Sequence, residues 1–190
     1  MSKVFVGLVH YPIYNKNKDI ITSSIANLDI HDIARCAATY NVTHYYLIHP
    51  LESQHNLIQD LLDFWQKGYG AEYNPDRKEA LDIVSLMKSI ADVQEEIRNN
   101  YPGPLYTVVT DARKYDNTVS YLKLHQEIEE TDKANYLLLF GTGWGLTQEV
   151  LESCDYILEP IYGRGAYNHL SVRSAVAIIL DRLLGEKWWK

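Results

Sequence analysis

The chain is short of cysteine, methionine and positive charge, and each shortage excludes something. Only two cysteines occur, Cys36 and Cys154. They lack the paired spacing of a metal site, and free thiols fit a cytoplasmic location better than a disulfide framework. The seven histidines are scattered without ligand spacing, so no metal is expected. No apolar stretch reaches the ~18 residues that cross a bilayer, and no membrane association is expected. The N-terminus has one lysine followed by a strand-like run, which does not read as a signal peptide. Lysine and arginine total 18 against 25 acidic residues, a net charge of −7. That total lacks the basic footprint of most nucleic-acid binders. It leaves room for a local basic rim, because exposed charges are screened beyond roughly 8 Å at physiological salt. Repeats, low-complexity segments and long linkers are also missing, so one domain over residues 1–190 is expected.

What is present is an alternation of strand-like and helix-like segments. Val4 to Val9 and His44 to His49 read as buried strands, the second ended by Pro50. Asn27 or Asp29 caps a helix running to about Tyr40, with Ile30, Ile33, Ala34 and Ala37 on its inner face. Ser53 is expected to cap a helix through Trp65, stopped by Gly68 and Gly70. Asn74-Pro75 marks a turn, and Leu81 to Met87 reads as a strand. Ser89 then caps a helix from Ile90 to Asn99. Leu105 to Val109 is a β-branched strand, and a helix follows from about Val119 to Glu130. Alternation of this kind predicts an α/β fold with a mostly parallel sheet flanked by helices.

The stretch from Tyr136 to Leu184 carries the functional signal. Tyr136-Leu-Leu-Leu-Phe140 is a continuous apolar run, as in a strand buried on both faces. Gly141-Thr142-Gly143-Trp144-Gly145 follows, then a short helix from Leu146 to about Glu152. Asp155 to Leu158 forms another strand, and a second loop runs from Glu159 to Leu170. Ser171 is placed to cap a last helix bearing Val172, Ala175, Val176, Ile179, Leu180 and Leu183 on one face, ended by Gly185. Two neighbouring βα units with glycine-bearing loops point to a ligand site, because open parallel sheets bind ligands at the carboxyl ends of their strands. The loop is no phosphate cradle: it falls short of G-x-G-x-x-G, and no G-x-x-x-x-G-K-[ST] occurs.

FGTGWGL, followed by LEPIYGRGAYNHLSVRSAVAIILDRLLG, resembles the second and third motifs of the SPOUT superfamily of S-adenosylmethionine-dependent RNA methyltransferases. The whole chain is similar to a small bacterial family related to the catalytic domain of the guanine-methylating tRNA enzyme. The resemblance implies a C-terminal trefoil knot, S-adenosyl-L-methionine as cofactor, tRNA or rRNA as substrate, and a homodimer whose partner completes the site. It implies that the cofactor lies bent across three loops. Their cofactor-binding residues would be Thr110; Phe140, Gly141, Thr142, Gly143, Trp144 and Gly145; and Leu158, Pro160, Ile161, Gly163, Asn168, His169, Leu170 and Ser171. The ribose-methylating branch usually has a glutamate in the second motif. Thr142 and Trp144 occupy that loop here, which favours a base over a ribose as acceptor.

Methyl transfer needs the acceptor held in line with the methyl group and, where the acceptor carries a proton, a base. Asp111 is a candidate base, and it is equally a turn-forming residue at a strand end. Arg113, Arg164 and Arg173 can contact phosphate or steady charge; each can equally be a solvated rim residue. Asn168 can orient the loop or the acceptor, or simply cap backbone. Together Asp111, Arg113, Asn168 and Arg173 form the expected catalytic set. His10 and His169 read as structural rather than basic. Trp188 and Trp189 are expected to cover a subunit contact or to pack onto the core. Two other functions share the pocket: a non-catalytic cofactor-binding module, and a methyltransferase acting on a protein or small molecule.

Overall fold

The structure, a computed structural model, describes residues 2–186; Trp188 and Trp189 lie outside them. Its framework is a seven-stranded sheet in which every pairing is parallel. In chain order the sheet strands are β1 (Lys3–Val9), β4 (His44–Ile48), β5 (Val84–Met87), β6 (Leu105–Thr110), β7 (Thr118–Val119), β8 (Asn135–Gly141) and β9 (Tyr156–Leu158). β2 (Ile13–Tyr14) and β3 (Ile20–Ile21) form a separate antiparallel hairpin. The helices are α1 (Asn27–Thr39), α2 (Glu52–Gln66), α3 (Tyr69–Tyr73), α4 (Pro75–Leu81), α5 (Ile90–Asn100), α6 (Tyr121–Glu130), α7 (Gln148–Ser153) and α8 (Val172–Leu184). The sheet order is β5-β4-β1-β8-β6-β9-β7.

The two most apolar strands lie at the centre. β1 and β8 pair along their whole length, from Lys3 opposite Asn135 to Val9 opposite Gly141. Their side chains alternate between two cores. Val4, Val6, Leu8, Tyr136, Leu138 and Phe140 face α1, α2, α4, α6 and α8. Phe5, Val9, Leu137 and Leu139 face α5, α7 and Ile13 of the hairpin. Covering both faces explains why these strands read as unbroken apolar runs, each fully buried Leu or Val contributing about 2 kcal/mol. Among the described residues no helix is long and apolar enough to cross a membrane.

The α/β architecture and the parallel sheet are as expected; several boundaries are not. α2 starts at Glu52, one residue before Ser53, and Leu51 supplies the first carbonyl, to Gln54 and His55. α2 ends at Gln66, just before Gly68, as expected, but a further short helix follows at once. Gly68 precedes α3, and Gly70 is buried inside it, against Phe64 and Trp65. Asn74-Pro75 opens a helix: the Asn74 side chain accepts from the Arg77 amide, and Pro75 takes the first helical position, where no donor is needed. α4 therefore absorbs Leu81, and β5 begins only at Val84. α7 begins at Gln148 because Leu146 is bridged to Ile13 of the hairpin. Ser89 and Ser171 cap their helices as expected.

Candidate active site

The carboxyl ends of β6, β8 and β9 open into a cavity of about 930 Å³. Four segments wall it. The first is the glycine loop after β8. Gly141 admits no side chain, because a Cβ there would stand 2.8 Å from the Leu146 amide nitrogen, which closes the loop on itself. Gly145 has φ +93°, a conformation side-chain-bearing residues avoid. A Cβ on Gly145 would stand 3.6 Å from the Asp111 carboxylate and 3.7 Å from the Arg113 guanidinium, so its absence keeps the space before that pair open.

Thr142 ties this loop to the end of β1, its amide and hydroxyl both donating to the Val9 carbonyl. Its hydroxyl proton being used there, Thr142 Oγ1 accepts from Ser23 at 2.7 Å, and Ser23 in turn accepts from His10 Nδ1 at 2.9 Å. This order of donors fixes the His10 tautomer and leaves Nε2 buried without a proton or a partner. Burial, then the neighbouring His49, lower the His10 pKa to about 4, against a smaller raising effect from Ser23. His49 accepts from the Leu51 amide at Nδ1, so its Nε2 donates to the Ser23 carbonyl at 3.1 Å. His10 and His49 are thus structural, which for His10 was the expectation.

The second wall is the loop after β6. Asp111 accepts from the Arg113 amide and guanidinium, the closest contact being 2.6 Å, and from the Tyr115 hydroxyl at 3.2 Å. Burial and then the Asp111 charge push the Tyr115 pKa up to about 12. Hydrogen bonding to Asp111 raises that of Arg113. The third wall runs from Glu159 into α8. Asn168 donates to the Ala112 carbonyl at 2.6 Å, joining this loop to the second wall. Glu159 accepts from the Tyr121 amide at 2.8 Å. Arg173 binds Asp29 of α1 at 2.5 Å and reaches Asp32 at 3.4 Å. Phe140, Ile161, Leu170, Val172 and Ile179 make the apolar lining.

The fourth wall, the tip of the β2–β3 hairpin, was missed in the sequence. Tyr14 exchanges backbone bonds with Trp144 and Gly145, which seats the hairpin on the glycine loop. The Asn15 side chain accepts from the Asn17 and Asp19 amides, and Lys18 is held at φ +67°. A lysine there costs roughly 1–2 kcal/mol relative to an unstrained backbone. Asn15, Lys16 and Lys18 all line the cavity. The readable signal was a five-residue polar loop between two apolar pairs, beginning with an Asn that can bond its own backbone.

The expected site residues therefore divide. Thr110, Asp111, Arg113, Phe140 to Gly145, Ile161, Asn168 to Ser171 and Arg173 all line the cavity. Leu158 and Pro160 do not: both are buried, and Leu158 faces the helix-covered core at the end of β9. Gly163 is also outside the lining; nothing lies within 4 Å of its missing Cβ. Arg164 is exposed beyond the cavity. Among the described residues no cluster of His, Cys, Asp or Glu could hold a metal.

Residues 3–185 match the family model described as SAM-dependent RNA methyltransferase. The chain belongs to that family. Its cofactor is S-adenosylmethionine, and the cavity fits such a molecule in size, in its apolar lining and in the space left open at Gly145. An uncharacterized protein of Aquifex aeolicus (strain VF5) is 44% identical to this family member over 182 residues, covering 96% of the chain and 88% of its own length. A tRNA (guanine-N(1)-)-methyltransferase of Nitratidesulfovibrio vulgaris is 43% identical over 183 residues, 96% of this chain. The chain spans only 42% of that enzyme's length. A TrmH/SpoU tRNA modifying enzyme of Aquifex aeolicus has the same fold, with a TM-score of 0.53 at 18% identity over 98% of this chain and 75% of its own. The SPOUT fold expected from the C-terminal motifs is thus borne out.

Proposed function

We propose that this methyltransferase transfers the methyl group of S-adenosylmethionine to a base of tRNA or rRNA. The single observation carrying the reading is the convergence of three loops, after β6, after β8 and after β9, on one cavity that a side chain at Gly145 would narrow. The relationship to a guanine-N1 enzyme supports a base as the acceptor. When bound, S-adenosylmethionine supplies a methyl group on a positively charged sulfur.

The chain's own residues would do the rest. The glycine loop, Thr110, Ile161, Leu170 and Ser171 hold the cofactor, the apolar groups against the adenine face and the loop backbone at its edge. Asp111 takes the proton leaving the acceptor base, and Arg113 orients that carboxylate. Asn168 fixes the third loop against the second through the Ala112 carbonyl. Arg173, pinned by Asp29, acts as a positioning residue. We further propose one domain, a chain threaded as a trefoil knot at its C-terminal loop, a cytoplasmic homodimer, and a partner subunit that completes the cavity.

The full engagement of Asp111 by Arg113 and Tyr115 favours a second reading, a module that binds the cofactor without catalysis. Incubation with methyl-labelled S-adenosylmethionine and total RNA from cells lacking the protein separates the two. Label in RNA, lost in Asp111→Asn, supports base methylation; cofactor binding without label in RNA supports the second.

A further inference from the structure

Two features of the cavity mouth go beyond what holding the cofactor requires, the exposed indole face of Trp144 included, whose loop backbone is the part assigned to the cofactor. The first is aromatic. Trp144 is 66% exposed and Tyr167 is 77% exposed, yet both line the cavity, from two different loops. Leaving an indole in water forgoes one of the larger burial gains a side chain offers. The second is charge. Lys16 and Lys18 project from the hairpin tip, both exposed and, among the described residues, without an ion-pair partner. The other cavity cations are neutralised within the protein, Arg113 by Asp111 and Arg173 by Asp29 and Asp32. The hairpin tip is braced by Asn15, and Lys18 occupies the left-handed region where glycine would be the unstrained choice. The turn that imposes this conformation on Lys18 is the one that carries both lysines to the cavity edge.

We infer that the hairpin tip and the exposed rings form the reception site for an unpaired RNA nucleotide: Lys16 and Lys18 take its flanking phosphates, and Trp144 with Tyr167 stack its base. This rests on the RNA-methyltransferase reading above. Stacking on exposed rings beside unpaired cations is how proteins grip single-stranded nucleic acid. It also gives a chain of net charge −7 a local place for RNA phosphates, since Lys16 and Lys18 stand at the opening, with Asp19 the acid on the same hairpin tip.

Fluorescence anisotropy with bulk tRNA and with a 12-nucleotide single-stranded RNA tests this, using the full chain across a salt series. Lys16→Gln/Lys18→Gln should weaken both probes about tenfold at low salt and flatten the slope of log affinity against log salt by about 1.4, or ~0.7 for each phosphate no longer neutralised. Trp144→Ala should weaken binding by about tenfold, Trp144→Phe by much less, and RNA should quench indole emission only when Trp144 is present. Lys78→Gln, remote on α4, should change nothing. Unchanged affinity and salt slope in the lysine pair, or RNA that never binds the wild type, would overturn the proposal. So would dissociation of a dimer by Trp144→Ala in sedimentation, which would assign the indole to a second copy of the chain. Calorimetry with S-adenosylmethionine on the lysine pair keeps the two readings apart. Cofactor binding that survives with RNA affinity unaltered sinks the reception site alone, while no cofactor binding in the wild type sinks the reading beneath it.

Discussion

The carboxylate of Asp29 on α1 accepts from the guanidinium of Arg173 on α8 at 2.5 Å, across 144 residues of chain. Side-chain exposure is 9% for Asp29 and 32% for Arg173, whereas Asp32, the second acid near that guanidinium, is 54% exposed. The pair joins the N-terminal half to the helix that carries the third wall of the cavity.

Removing the two partners should cost different amounts. Arg173→Met leaves a buried carboxylate without its cation, worth roughly 3–5 kcal/mol. Asp32→Asn removes only a solvent-screened contact, worth about 1 kcal/mol or less. Chemical denaturation of the two variants measures both. A larger loss for Asp32→Asn would contradict the geometry.

His10 makes stability depend on pH in a stated direction. Its folded pKa is about 4 against 6.5 in the unfolded chain, so the unfolded state binds the proton more readily. The neutral imidazole's contribution is complete above pH 6.5. It declines as pH falls from 6.5 to about 4, by up to ~1.4 kcal/mol per unit and on the order of 3 kcal/mol in all. His10→Asn can keep a donor toward Ser23 and cannot titrate. Its stability should fall less steeply over that window, as read by denaturation at several pH values; equal slopes would refute the assignment.

The glycines of the two C-terminal loops look alike in sequence and differ in space. A Cβ on Gly141 presses on the Leu146 backbone, so Gly141→Ala should cost about 1–3 kcal/mol and disturb the loop. Gly163 has open space and no left-handed φ, so Gly163→Ala should stay within about 0.5 kcal/mol of the parent. Thermal melts of both variants decide, and equal losses would show that the second loop is tighter than described.

These contrasts mark how far the sequence could be read. The central strands were legible because β1 and β8, buried on both faces, must be apolar throughout. The Ser171 cap and the faces of α1 and α8 were legible from helical spacing. Gly68 was legible as the stop after α2, whereas Gly70 and Asn74-Pro75 misled: Asn74-Pro75 opens a further helix, and Gly70 is packed inside α3 against Phe64 and Trp65. Most of the candidate site lay in motifs. Leu158 sits in register beside Thr110 and Phe140, which do line the cavity, yet is itself packed into the core, a difference of depth that a motif does not encode. Asp29, Tyr14 and the lysines of the hairpin were missed because their place in the site depends on long-range packing: the local pattern of a polar loop between apolar pairs announces a hairpin and not what the hairpin packs against.

S-adenosylmethionine should bind in the cavity between the three loops, and calorimetric titration of the protein with that molecule reads this out. A saturable heat should appear with the wild type, and Gly145→Val, which fills the space before Asp111 and Arg113, should weaken it at least ~10-fold, the equivalent of about 1.4 kcal/mol. No saturable heat at millimolar cofactor, or equal affinity in wild type and Gly145→Val, would contradict it.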